Sequence, residues 1–151
     1  MKSNAIKYTL VALILSTGAA LAHSGAKGVV KQRMEMMGDI AAQMKTVAHM
    51  LSGQKAFDPQ QITASARQIA DHAKGFAHLF PEGSIKSPSE ARPEIWTRWD
   101  EFLDRSAEMK ARAVALAAAA KTAEGPLDIK KPFGQLGMSC KACHQDFRLK
   151  K

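Results

Sequence analysis

The sequence predicts an all-α protein, an antiparallel up-down-up-down four-helix bundle. Three observations carry that expectation. Four stretches repeat apolar residues with the 3.6-residue period of a helix. No stretch alternates apolar and polar residues long enough to make a strand. The joints between the helical stretches hold Pro, Gly or a capping Asp. The composition agrees: the 151 residues are 46% hydrophobic and 24% charged, as in a globular domain rather than a disordered or fibrous chain. Two cysteines exclude a multi-disulfide scaffold.

The chain opens with a segment that does not belong to the bundle. Lys2 and Lys7 precede an uncharged apolar run, which ends in Ala20-Leu21-Ala22. A charged start, a short apolar stretch and an Ala-x-Ala site describe a secretory signal peptide. The run is short for a stable membrane span, which needs about 20 residues. We therefore expect residues 1–22 to be cleaved, residues 23–151 to form the mature domain, and the product to be exported to the periplasm without stable membrane insertion.

The first helical stretch runs from about Ala26 to Ser52. With Met37 as the centre of its wheel, Val30, Ile40, Ala41, Met44, Ala48 and Leu51 fall within about 60°, and Gly53 is a plausible stop. The second starts after Asp58-Pro59, an N-cap followed by a proline at the first helical position. Its face is Ile62, Ala66, Ile69, Ala73 and Phe76, and Pro81-Glu82-Gly83-Ser84 closes it. The third begins near Pro93 and reaches about Thr122, with Ile95, Trp99, Phe102, Leu103, Ala113, Ala117 and Ala120 on its stripe. Gly125-Pro126 breaks it. The fourth is expected from Lys131 or Pro132 to Leu149, with Phe133, Leu136, Cys140, Cys143, His144 and Phe147 on one face.

That last face carries the chemistry. Cys140-Lys141-Ala142-Cys143-His144 is C-x-x-C-H, the attachment signature of a c-type haem. On a helix, positions i, i+3 and i+4 project from one side. Two thiols can then form thioethers with one porphyrin, while the adjacent imidazole reaches its iron. A thioredoxin-like thiol pair belongs near a βαβ pattern, and none is visible. Zinc would want four ligands, and the motif offers three. One covalently attached haem c is therefore expected, held by Cys140 and Cys143 with His144 as axial ligand.

With these residues in view, the sequence resembles the cytochrome c′ family, the class II c-type cytochromes. Further echoes are Arg33-x-x-x-Met37, Leu79-Phe80-Pro81-x-Gly83-Ser84, Pro93-Glu94-Ile95-Trp96 and Cys140-x-x-Cys143-His144-x-x-Phe147-Arg148. The resemblance implies an exported four-helix bundle with its haem site near the C-terminus, and a homodimer through the first two helices is common among such proteins. It also implies a choice at the face opposite His144. One branch is five-coordinate and high-spin with an apolar residue there; the other is low-spin with a methionine from the first helix, and the resemblance puts Met37 at that place.

The residues point the same way. Met37 lies about eleven residues, roughly 17 Å, into the first helix. An antiparallel fourth helix puts the Cys-His motif in the same half of the bundle. Met37 is expected to be the sixth ligand, with core filling as the bland alternative; His72 is the best bis-histidine candidate. Arg33 sits about 40° from the centre of an apolar stripe, where an unpaired charge is costly, so it is expected to bind a haem propionate. The expected function is one-electron transfer by a low-spin His144/Met37 haem. The alternative is a five-coordinate protein binding NO or CO. The formal charge is +8, of which Lys2 and Lys7 carry two; the remaining +6 of the mature chain suggests docking to acidic patches on redox partner proteins. No nucleic-acid motif, Ser-His-Asp set or phosphate loop is visible, so neither nucleic-acid binding nor catalysis is indicated.

Overall fold

The computed structural model describes residues 25–150. The expected signal peptide and the mature start at His23 lie outside them. Four long helices carry the fold. Helix α1 spans Gly28–Leu51, and Gly53 follows at φ 75°, the left-handed turn that ends a helix without a Cβ clash. Helix α2 spans Pro59–Gly75, and Asp58 caps it as expected, its Oδ1 accepting from Gln60 N at 2.9 Å and Gln61 N at 3.0 Å. A 3-10 turn, Phe76–Leu79, extends α2 into the following loop.

The third and fourth stretches differ from expectation at their starts. The third is broken: a single turn, α3 (Glu94–Thr97), precedes α4 (Trp99–Ala120), with Arg98 between them at φ −124°, ψ 45°. The periodicity continues across the break, which is why it is invisible in the apolar pattern. The fourth helix, α5, spans Pro126–Phe147 and so begins before Lys131. Pro126 opens this helix rather than merely ending the previous one, because a proline at the first turn gives up an N–H that has no partner there anyway. The Asp128 carboxylate then reaches back to the N–H groups of Glu124 and Gly125 at 2.9 and 3.1 Å. Pro132 lies inside α5, where it removes one intrahelical bond.

Packing runs α1–α2–α4–α5. The α2–α4 and α4–α5 seams are extensive, and α1 packs chiefly on α2 and only lightly on α5. Three contacts fix the antiparallel order. Ser106 Oγ, early in α4, donates to Ala73 O, late in α2, at 3.0 Å. Arg105, early in α4, pairs with Asp146, late in α5, at 2.9 Å. Arg33, early in α1, donates to Leu79 O beyond the end of α2 at 3.3 Å. The starts of α1 and α4 and the ends of α2 and α5 therefore share one end of the bundle. The only β pairing among the described residues is an isolated bridge, Ala91 to Arg148.

The core has two parts. The larger contains Ile40, Val47, Met50, Ile62, Ile69, Leu116, Ile129 and Leu136. The smaller is aromatic, at the end that holds the Cys-His motif: Phe76, Phe80, Ile95, Phe102 and Phe147. Phe102 is its hub, with ring centroids of Phe80 at 4.9 Å and Phe147 at 5.3 Å, both edge-on. Trp96 donates its indole N–H to Phe80 O at 3.0 Å.

The buried face of α1 is rotated from the wheel drawn on the sequence. Val30, Arg33, Ile40, Val47 and Met50 are buried while Ala41 is exposed. The centre therefore lies towards Val47, and Met37 is at the edge, half-buried. The alanines misled the wheel: Ala41 contributes little apolar area, whereas Val47 and Met50 contribute much.

Candidate functional site

Cys140 stands one turn before the adjacent Cys143 and His144, towards the end of α5. Both cysteines are half-buried free thiols. Cys140 packs against the larger core and Cys143 against the aromatic one, so the motif straddles their junction. Burial raises the Cys140 pKa. Burial, with a smaller contribution from the neighbouring Cys140, pushes Cys143 up to about 11. Both are neutral thiols at pH 7. The His144 ring is more open to solvent and lines a surface recess with Lys141, Gln145 and Arg148. Desolvation first, and the Arg148 charge second, lower its pKa, which favours the neutral imidazole that has a lone pair to give a metal.

On the facing helix, Met36 and Met37 are both half-buried, and both pack against the two cores. They face different neighbours. Asp39 approaches His72 of α2 at 4.0 Å, which fixes the α2 side of α1. Met36 lies about 60° from Asp39 around the helix, and Met37 about 160°. Met37 is thus on the flank away from α2, the flank that borders α5. Met36 is as inward as Met37. His72 has its Nε2 buried without a hydrogen-bond partner and is turned to α1, beside Asp39.

Arg33, expected at a haem propionate, is held by a loop in this structure. Its side chain is buried, 3% exposed. Its two terminal nitrogens make four hydrogen bonds to the loop after α2: Leu79 O at 3.3 Å, Ser84 Oγ at 3.1 Å, Ser84 O at 3.0 Å and Ser89 Oγ at 2.6 Å. The guanidinium also lies over the Phe80 ring, 4.7 Å from its centroid. All four terminal N–H groups are engaged by the loop, and only Nε–H is left for an anion such as a propionate.

The same loop is fastened to α5. Arg92 N donates to Phe147 O at 2.9 Å and Leu149 N to Glu90 O at 2.8 Å, and Arg148 Nε donates to Glu90 at 2.8 Å. Residues 79–92 thus form a strap from Arg33 of α1 to the end of the helix that carries the motif. The sequence marked both ends, Arg33 and Arg148, and the stretch Leu79 to Ser84, but not that they join into a strap. Its polar partners Ser84, Ser89 and Glu90 have no periodicity to announce them.

The donor set fits a covalently attached porphyrin. Two unbridged thiols and an imidazole share one helical face, beside an aromatic cluster and along the bundle's most lightly packed seam. Among the described residues, no group of three or more His, Cys, Asp or Glu side chains is placed to hold a metal ion by itself.

Comparisons with known proteins agree with that geometry. The family model described as Cytochrome C' matches residues 28–148, and the chain belongs to that family. A cytochrome c-556 of Agrobacterium tumefaciens (strain II Chrys) is 35% identical over 124 residues, covering 82% of this chain and 99% of its own. The structure is similar to cytochrome c' from Rhodopseudomonas palustris, with a TM-score of 0.76 and 31% identity over 83% of this chain and 99% of that one. It is also similar to a mutant of cytochrome c prime from Alcaligenes xylosoxidans solved as a nitric oxide complex, with a TM-score of 0.73 and 29% identity over 82% and 94%. As a member of this family the protein carries one covalently attached haem c.

Proposed function

We propose that the chain is an exported, periplasmic monohaem cytochrome with His144 as its single protein ligand, and that the opposite face takes an uncharged diatomic gas, NO or CO. The observation that carries this reading is the chemistry of α1 on the flank bordering α5. Val30, Met37 and Met44 supply apolar surface there. The one charged residue on the buried side of α1, Arg33, has its terminal N–H groups turned into the loop. A face lined by apolar side chains favours neutral gases over anions and over ligands that need a polar partner. The nitric oxide complex of the Alcaligenes relative supports the same choice, and the low-spin His144/Met37 assignment finds no such support among the relatives.

When bound, the haem would supply an iron that can take the gas. The chain's residues do the rest. Cys140 and Cys143 fix the porphyrin to α5, and His144 gives a neutral imidazole. Phe102 and Phe147 keep water from the buried side, and the strap holds α1 and α5 in register. No residue is assigned a catalytic role.

A second reading rests on one specific observation, the half-buried Met37 on the flank facing α5. If its thioether ligates, the protein is a low-spin one-electron carrier. The electron-carrier reading needs a redox partner, and so does CO binding, which takes the ferrous state; the basic chain suits an acidic one. Titrating the reduced, haem-loaded protein with CO tests the choice. The first reading expects a saturable optical shift at one CO per chain, and a spectrum indifferent to CO would replace it with the second.

A further inference from the structure

We infer that the outer face of α5, centred on Met138 between Lys131 and Lys141, is the docking surface for the acidic redox protein that exchanges electrons with the haem; this rests on the haem-protein reading above. Met138 is 70% exposed, although it is a large apolar side chain two residues from Cys140. Lys131 lies seven residues before it, and Lys141 three and Gln145 seven after it. All three fall within about 60° of it around the helix and all are exposed. Gly134 belongs to the same stripe, and a Cβ there would meet nothing within 4 Å. No packing demand explains a glycine at that position, and its effect is to leave the surface low beside Met138. The stripe leads through Lys141 to His144, which shares a surface recess with it.

The charge on this face is one-sided. From Ile129 to Gln145 the helix carries Lys130, Lys131 and Lys141 and no acidic residue. The acids that bracket it are engaged elsewhere: Asp128 caps its own helix, and Asp146 pairs with Arg105. None of the three lysines has an ion pair among the described residues. The neighbouring α4 is the opposite case: Arg105 and Arg112, and Arg98 just before it, are paired to Glu101 and Glu108. A single flexible thioether with cations spread over about 15 Å suits a small, transient protein interface. There a methionine adapts to the partner, and rim lysines speed encounter more than they tighten the complex. A membrane-surface helix would want a continuous apolar face, which this stripe lacks.

The test uses haem-loaded full-length protein and reduced flavodoxin, an acidic redox protein, as the probe. Electron-transfer rates are measured by stopped flow at low and high salt. The double variant Lys131→Glu/Lys141→Glu is expected to lose about tenfold or more in rate at low salt, and to converge with the unaltered protein at high salt. Met138→Ser is expected to slow transfer at both salts. Arg67→Glu, exposed on α2 across the bundle, should change the rate less than about twofold. Equal effects of the α5 and α2 charge reversals overturn the docking surface. So does loss of binding to phosphatidylglycerol vesicles in the double variant with an unchanged flavodoxin rate, which assigns the lysines to lipid. An unaltered protein that matures without covalently bound haem overturns the underlying reading instead, and is seen directly in its absorbance.

Discussion

At the scale of single residues, Arg33 shows how a buried charge is made tolerable without a counter-ion. Two carbonyls, two hydroxyls and an aromatic face surround it, and the four hydrogen bonds replace its water. Arg33→Ala would leave those loop acceptors unpaired under a cavity. It should cost on the order of 2–4 kcal/mol in urea unfolding of the haem-loaded protein. Arg33→Lys should recover less than half of that, because a point charge cannot span acceptors on Leu79, Ser84 and Ser89. If Arg33 instead served mainly a propionate, both variants would shift the haem spectrum more than the stability. The thiols give a second residue-scale prediction. Cys143, held up to about 11 by burial, binds its proton more tightly folded than unfolded. In haem-free chain its contribution is complete below about pH 9, the ordinary thiol range, and is lost as pH rises through 11. Unfolding free energy of haem-free protein should fall across that window, by roughly 1–3 kcal/mol. In the haem-loaded protein both sulfurs are thioethers, and this fall should be absent.

At the scale of elements, the caps decide where helices begin. Asp58→Ala removes the acceptor for two N–H groups at the start of α2 and should cost about 1 kcal/mol in thermal or urea unfolding. The haem spectrum should not change, because α2 starts at the end of the bundle away from the motif. Asp58 was legible because a capping Asp followed by Pro is a local signal. The start of α5 was also local, but Gly125-Pro126 reads equally as a stop and a start, and only the back-bond from Asp128 decides. The break at Arg98 has no local signal of that kind. Ile95 and Trp99 keep their helical spacing through it, so the apolar pattern runs on while the backbone does not. The α1 wheel erred for a different reason: counting Ala41 equally with Val47 turned the face towards Met37 and left Met36 outside. The motif residues were legible at once, since C-x-x-C-H on a helix has one geometry. What faces them across the seam depends on how α1 is turned, and no property of α1 alone sets that.

At the scale of the whole molecule, the antiparallel order brings the start of α1 to the end of α5, and the strap of residues 79–92 ties the two together. The fold class and this adjacency follow from four amphipathic segments with short joints. The strap does not, since it is built from loop carbonyls and serines that find Arg33 only once the bundle has formed. Its consequence is that the helix bearing Met37 and the helix bearing His144 are held by one connection. Ser84→Ala/Ser89→Ala should therefore loosen both, seen as faster amide exchange at the start of α1 and the end of α5 with little change in the α2–α4 seam. The central claim is that His144 alone ligates the haem and that Met37 covers the opposite face. The most direct measurement is electron paramagnetic resonance of the ferric, haem-loaded protein at neutral pH, for the unaltered chain and for Met37→Leu. A high-spin signal is expected in both, changed little by the substitution. A low-spin signal in the unaltered chain that turns high-spin in Met37→Leu would contradict it and make Met37 the sixth ligand.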